Sequence, residues 1–186
     1  MKKSFLKLFS AMLLIVAFFF ANNAFAQVPA NTFGIYAGLD NDGMHSGFSY
    51  TLSNSIELGL GVIFESASVS SDIKGFKAPD AETHVGFDLT GLYYFSKGDV
   101  NPYVELEIGY LQYPKKETDG GDIKSNDLGF GLSLGANAFI VKSFALYGSL
   151  GLYYNMYTTN YPKYSITQNT LNLLTASLGF SYYFTK

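Results

Sequence analysis

Ser177-Leu178-Gly179-Phe180-Ser181-Tyr182-Tyr183-Phe184 is the stretch that decides how this chain is read. Extended a few residues backward, it alternates. Leu174, Ala176, Leu178, Phe180, Tyr182 and Phe184 fall on one side, and Thr175, Ser177, Gly179, Ser181 and Tyr183 on the other. A period of two is the signature of a β-strand. One face is apolar and ends in aromatics; the other is small and polar. A water-soluble barrel would need the apolar face inside, and Gly, Ser and Thr on the other side fill a core poorly. A membrane barrel inverts the arrangement, with apolar residues toward lipid and polar ones toward the lumen.

The same inversion recurs upstream. Residues 32–39 place Phe33, Ile35, Ala37 and Leu39 on one face, and Asp40-Asn41-Asp42-Gly43 then reads as a turn. Further strands are expected at about 44–52, 56–68, 82–95, 103–113, 124–140 and 144–157, before the closing one. Gly and Ser dominate the opposite face of several, most clearly Gly129, Gly131, Ser133 and Gly135. The expectation is all-β: an eight-stranded antiparallel up-and-down transmembrane β-barrel. An even strand count suits a bacterial single-chain barrel. Connections after the second, fourth and sixth strands are short. Those after the third, fifth and seventh are longer, with the last at about 158–168. That asymmetry places both termini in the periplasm and the Pro79, Pro114 and Pro162 loops outside. No proline falls within an expected strand, as a closed ladder requires. Aromatics gather near strand ends: Phe33, Tyr93, Phe95, Tyr103, Phe144, Tyr182 and Phe184 on the periplasmic side, and Phe64, Tyr110, Phe130, Tyr154 and Tyr157 on the outer side.

Residues 1–26 are read as a secretory signal peptide. Lys2, Lys3 and Lys7 form its positive region, an apolar run follows, and Ala24-Phe25-Ala26 is a small-x-small cleavage site. The barrel domain is then 27–186. Three of the 12 lysines leave with the leader, so nine face 15 acidic residues, a net charge of −6. There is no Arg, and a basic nucleic-acid footprint is lacking, so no nucleic-acid partner is expected. The chain has no cysteine and two histidines, which gives a disulfide framework, a lipoprotein anchor and a transition-metal site no basis.

With its strands placed, the region from Gln27 to Phe184 resembles the small eight-stranded outer-membrane barrels of Gram-negative bacteria, the OmpA/OmpX type and the wider porin-like group. The most specific element is the closing strand. Ser177, Gly179, Tyr182 and Phe184 match the assembly signal that the barrel-insertion machinery reads, although Thr185 and Lys186 follow the final aromatic. The resemblance implies outer-membrane lipid and lipopolysaccharide as surroundings and the assembly machinery as a partner during insertion. No peptidoglycan-binding domain of the OmpA kind follows, so no cell-wall anchor is expected. The resemblance is architectural, and a fold does not assign a function.

Three sets of residues stand out chemically. An eight-stranded barrel is filled by its own side chains, here Tyr36, Tyr94, Tyr147 and Tyr153, so no open pore is expected. Yet Glu57, Asp88, Glu105 and Glu107 also face inward with no mid-strand Lys to match them. Buried carboxylates must be hydrated, protonated or cation-bound. Hydration with Tyr hydrogen bonds, helped by Lys97 or Lys142 folding in, is the plain expectation; a cation-attracting vestibule is the alternative. Glu57, Glu105 and Glu107 are expected near the periplasmic mouth. Second, Glu65 and His84 flank the loop after the third strand and form an expected rim pair. A carboxylate beside an imidazole can be a base with its orienter, but no motif places a nucleophilic Ser there, so a structural pair is expected. His45 is expected to be a solvated residue. Third, the external loops carry Lys74, Lys77, Lys115, Lys116 and Lys163 among several acids, and loops of this kind can meet lipopolysaccharide phosphates or a surface partner.

The expected function is an integral outer-membrane barrel, non-enzymatic and without cofactor, with a structural or surface-interaction role. The alternatives are a narrow porin-like barrel for small solutes or hydrophobic molecules, a lipid-modifying enzyme built on His84 and Glu65, and a soluble periplasmic barrel.

Overall fold

A computed structural model describes residues 28–41, 43–67, 82–96, 98–118 and 121–185. The leader at 1–26 and the loop at 69–80 lie outside the described residues. The strands are β1 (Thr32–Leu39), β2 (Gly43–Ser53), β3 (Ile56–Ala67), β4 (Glu82–Tyr94), β5 (Val100–Gln112), β6 (Lys116–Thr118), β7 (Gly121–Val141), β8 (Phe144–Asn160) and β9 (Ser165–Tyr183). Every pairing is antiparallel. The sheet runs β5-β4-β3-β2-β1-β9-β8-β7, and β5 also pairs with β7, which closes an eight-stranded ring. Among the described residues no helix is long and apolar enough to cross a membrane, which says nothing of a barrel that crosses with strands.

The wall carries the inverted polarity. Phe48 is 68% exposed, Leu134 64% and Leu178 66%, all on the outer surface, while Ser49, Thr51, Asn137 and Ser181 are buried inside. The tilt follows from the register. Stepping between partnered residues from Leu178 leads through Leu39, Met44, Phe64, Val85, Gln112, Asn126 and Thr158 to Thr167. The circuit returns 178 − 167 = 11 residues further along β9, one of which is an extra residue where the β8–β9 register slips between Gly151 and Tyr153. A stagger of ten over eight strands, at about 3.3 Å per residue and about 4.8 Å between strands, sets the tilt near 40° and the radius near 8 Å. On that geometry the outward aromatics Phe64, Tyr110, Phe130 and Tyr154 form one belt and Phe33, Tyr93, Phe144 and Tyr182 another. The belts stand roughly 20–25 Å apart, which matches the apolar band of an outer-membrane barrel.

Several expectations need correcting. β6 is a ninth, three-residue strand that pairs only with the outer end of β7, Thr118 against Gly121. Gly121 takes a positive φ of 116°, which a residue with a side chain rarely adopts. The loop expected at 158–168 shrinks to a turn at Tyr161–Tyr164, where the Tyr161 N–H donates to the Tyr164 carbonyl (2.8 Å) and the two rings stack 4.7 Å apart. Thr158 and Thr167 bond hydroxyl to hydroxyl across the ladder (3.0 Å), so polar residues extend the hairpin instead of leaving it. Pro102 lies inside β5, third from its start, and its carbonyl accepts the Phe95 N–H (2.9 Å). A strand end tolerates the missing N–H. Tyr103 does not join the lipid-facing belt: it shares the inward parity of Glu105 and is 2% exposed. Tyr157 likewise takes the inward parity of Tyr153, with its ring edge-on to Tyr113 at 5.2 Å.

Candidate functional site

The interior is floored at the end that holds both described termini. Glu57 of β3 accepts from the Tyr94 hydroxyl (3.0 Å, Oε2) and from the Tyr183 hydroxyl (3.2 Å, Oε2). Asn137 of β7 donates Nδ2 to both of those hydroxyls, at 2.8 Å and 3.3 Å. Four strands are thereby tied across the lumen by one carboxylate, two phenols and one amide. Val28, just before β1, packs into the same end with Phe139, Ala145 and Tyr183 as a small apolar cluster. Tyrosines are the natural filler here, with large rings to bury and a hydroxyl that needs a partner.

Above the floor lies a cavity of about 150 Å³ that runs from Glu57 and Ser181 up to Asp40, Glu65 and Asp127. Asp88, Glu105 and Glu107 share its wall. Asp88 accepts from Tyr36 (3.0 Å), Glu105 from Ser133 (3.0 Å), and Glu107 from Tyr153 at a long 3.4 Å. All three donors are neutral hydroxyls. The small inward residues make room for the rings. A Cβ at Gly129 would collide with the Tyr153 ring, and one at Gly179 would run into Tyr147 and the Ala37 carbonyl.

Of the carboxylates grouped by sequence, Glu57 therefore forms the floor, and Asp88, Glu105 and Glu107 line the chamber above it. No lysine lines that chamber among the described residues. Lys142 is exposed at the β7–β8 turn instead of folding inward, and Lys97 lies outside the described residues. The rim pair is brought together by register, Glu65 opposite His84 across β3 and β4. His84 is buried, with its ring 4.3 Å from that of Tyr113. His45 is the residue that the sequence reading misjudged. It points inward, with 15% of its side chain exposed. Its Nε2 lies 2.6 Å from the Tyr147 hydroxyl and its Nδ1 3.5 Å from Asp40 Oδ2. The signal was present, because 45 shares the inward parity of 47 and 49 on β2, but its place beside a turn concealed it.

The closing-strand residues also have ordinary packing roles. The Ser177 hydroxyl bonds Ser149 (2.7 Å), and Tyr182 meets Phe184 edge to face at 5.4 Å on the lipid side. On the outer hairpin, Lys115 contacts Asp122 (2.9 Å) and Glu117 (3.3 Å), and hydrogen bonds to Asp122 first and Glu117 second hold its ammonium above the ordinary lysine range.

Comparison of folds places this architecture. The outer membrane protein OprG of Pseudomonas aeruginosa superposes with a TM-score of 0.52 over 89% of this chain and 100% of that one, at 14% sequence identity. The fold is that of the small outer-membrane β-barrels. The N-terminal barrel domain of Pseudomonas aeruginosa OprF also matches, with a TM-score of 0.49, 15% identity and coverage of 84% and 100%. A major outer membrane protein of Thermus thermophilus gives 0.48, 17% identity and coverage of 82% and 98%. By sequence, no protein-family model matches the chain, and no curated protein does.

Proposed function

We propose that this chain is an integral outer-membrane barrel of the bacterial envelope, exported by its leader and inserted with both termini in the periplasm. It does not conduct. Its role is structural or that of a surface receptor, carried out by an outward-facing cup and the loops around it, and it involves no chemical step. Lipid and lipopolysaccharide surround it, and the barrel-insertion machinery reads Ser177, Gly179, Tyr182 and Phe184 during assembly.

One observation carries the non-conducting reading: the floor formed by Glu57, Tyr94, Tyr183 and Asn137. A solute passing through would have to break several mutually satisfied buried hydrogen bonds, and leaving such groups unpaired costs a few kcal/mol each, on the order of 1–3. Planar-bilayer recording of the purified mature chain tests this. The expected trace is free of resolved single-channel steps. Reproducible steps from the unaltered protein would overturn the sealed-floor reading in favour of a narrow transport barrel.

A further inference from the structure

The pairing that closes the ring is the one that chain connectivity does least to align. Every other pairing in the wall joins strands that follow one another, with only the small β6 between β5 and β7, so a turn or loop limits how far the two can slide. β1 and β9 lie at opposite ends of the chain. Polarity does not align them either. A slip by one residue turns every side chain to the wrong face, but a slip by two keeps each on its own. Ile35, Ala37 and Leu39 meet Tyr182, Phe180 and Leu178 toward lipid, and a slip by two would still set apolar against apolar.

What distinguishes the observed register lies on the lumen side. Tyr147 of β8, Gly179 of β9, Gly38 of β1 and His45 of β2 are successive partners in one row across four strands. The two adjoining glycines leave a trough, and the Tyr147 side chain lies in it. A Cβ at Gly38 would strike the Tyr147 hydroxyl and His45 Nε2, and one at Gly179 would strike the Tyr147 ring. The hydroxyl ends 2.6 Å from His45 Nε2. Three strand spacings of about 4.8 Å separate the ends of the row, a gap that one phenol, one imidazole and one hydrogen bond fill. Asp40 aims the imidazole: its Oδ2 lies 3.5 Å from Nδ1, and its Oδ1 accepts the Gly43 N–H (2.7 Å). A proton on Nδ1 leaves Nε2 to accept from the phenol. Asn41 of the same turn donates Nδ2 to the Leu174 carbonyl of β9 (3.2 Å), a second tie across the junction.

Slipped by two in one direction, Gly179 would face Tyr36, whose ring would fill the trough; slipped in the other, it would face Asp40 at the turn. Neither alignment lets Tyr147 reach His45. We propose that Tyr147 and His45 form a strap that selects the register in which β1 closes onto β9, with Gly38 and Gly179 as the slot it needs. The strap concerns how the barrel closes, so the conduction test neither supports nor removes it. The floor resists slippage as well, because Tyr183 of β9 holds Glu57 of β3 (3.2 Å), and the test is therefore made in a Tyr183→Phe background.

The chain has no cysteine, so introduced pairs report the register directly. Ala37→Cys with Phe180→Cys marks the observed alignment, and Ala37→Cys with Leu178→Cys or with Tyr182→Cys marks a slip of two in either direction. Diagonal neighbours in an aligned ladder stand about 7–8 Å apart, beyond the ordinary reach of a disulfide. Each pair is oxidised in the mature chain folded into lipid vesicles, and the disulfide yield is measured by peptide mass. With the strap intact only the aligned pair is expected to close. Tyr147→Ala and His45→Leu are each expected to raise the yield of a slipped pair about tenfold, on the scale of one buried hydrogen bond. Tyr153→Ala, which crosses no junction, leaves the aligned pattern unchanged. If both strap variants close only the aligned pair, the proposal is overturned. It is overturned equally if Tyr153→Ala brings on slippage as readily, since lost filling would then be the cause. If Tyr147→Ala does not assemble, as judged by heat-modifiable gel mobility, His45→Leu decides alone.

Discussion

Replacing Tyr94 by Phe removes one oxygen from the floor and nothing else, which makes it a sharp probe of how the lumen is held. The hydroxyl donates to Glu57 at 3.0 Å and accepts from Asn137 at 2.8 Å. A hydrogen bond to a charged group contributes about 1.5–3 kcal/mol and a neutral one about 0.5–1.5, so the loss comes to about 2–4.5 kcal/mol. Glu57 and Asn137 each retain Tyr183 as a partner, at 3.2 Å and 3.3 Å, which favours the lower half of that range. Tyr153→Phe is the control: it removes one 3.4 Å bond in the wider chamber and is expected to cost about 0.5 kcal/mol or less. Urea unfolding in lipid vesicles, followed by far-UV circular dichroism and by gel mobility of the unheated barrel, reads both. A double-mutant cycle of Tyr94→Phe with Glu57→Gln is expected to show a coupling of about 1 kcal/mol or more, since the two groups share a bond. If Tyr94→Phe matches Tyr153→Phe, or the coupling vanishes, the floor is not held by this network and the account of it is wrong.

Further outcomes follow from the wall and the loops. Leu134 faces outward near the middle of the apolar band, so Leu134→Lys is expected to cost about 2–4 kcal/mol in vesicle unfolding, and Leu171→Lys, close to the outer interface, about 0–1; equal costs would contradict the assigned depth. Gly129→Val drives a side chain into the Tyr153 ring and is expected to destabilise by about 1–3 kcal/mol, a loss that pairing with Tyr153→Ala should partly restore. Lys115→Ala breaks a solvent-exposed contact with Asp122 and Glu117 and is expected to leave the unfolding midpoint unchanged, because solvent screens such pairs.

What could be read in advance was set by the bilayer. Where a strand has lipid on one side and packed polar groups on the other, each residue's parity is written in its chemistry, and Leu128 through Leu134 on β7 or Leu178 and Phe180 on β9 could hardly be misplaced. Above the membrane both faces are wet, the contrast vanishes, and Thr158, Thr159, Ile166 and Thr167 look like loop although they are ladder. Leu173 and Leu174 show a second limit. They are adjacent, both exposed, and straddle the point where the register slips, so alternation counted back from Phe184 is right to Leu174 and inverted beyond it. Aromatics are ambiguous by nature, since Tyr103 suits a lumen as well as an interface and only its parity with Glu105 settles it. Within the chamber, the inward sense of Asp88, Glu105 and Glu107 was legible, but which carboxylate would be captured by the floor was not. That depended on Tyr183, which arrives from the far end of the chain.

The ring is joined along a short seam. β1 meets β9 only from Gly34 to Leu39 against Tyr183 to Leu178, whereas β8 and β9 run together from Phe144 to Asn160. Before that join is made, the chain is a ribbon with two raw borders, and the β9 border carries no charged residue from Ser165 to Tyr183. Bare borders without charge are what unrelated strands stick to. Until it closes, the open ribbon is therefore hazardous to itself, and zipping those few residues shut is the step that makes it safe.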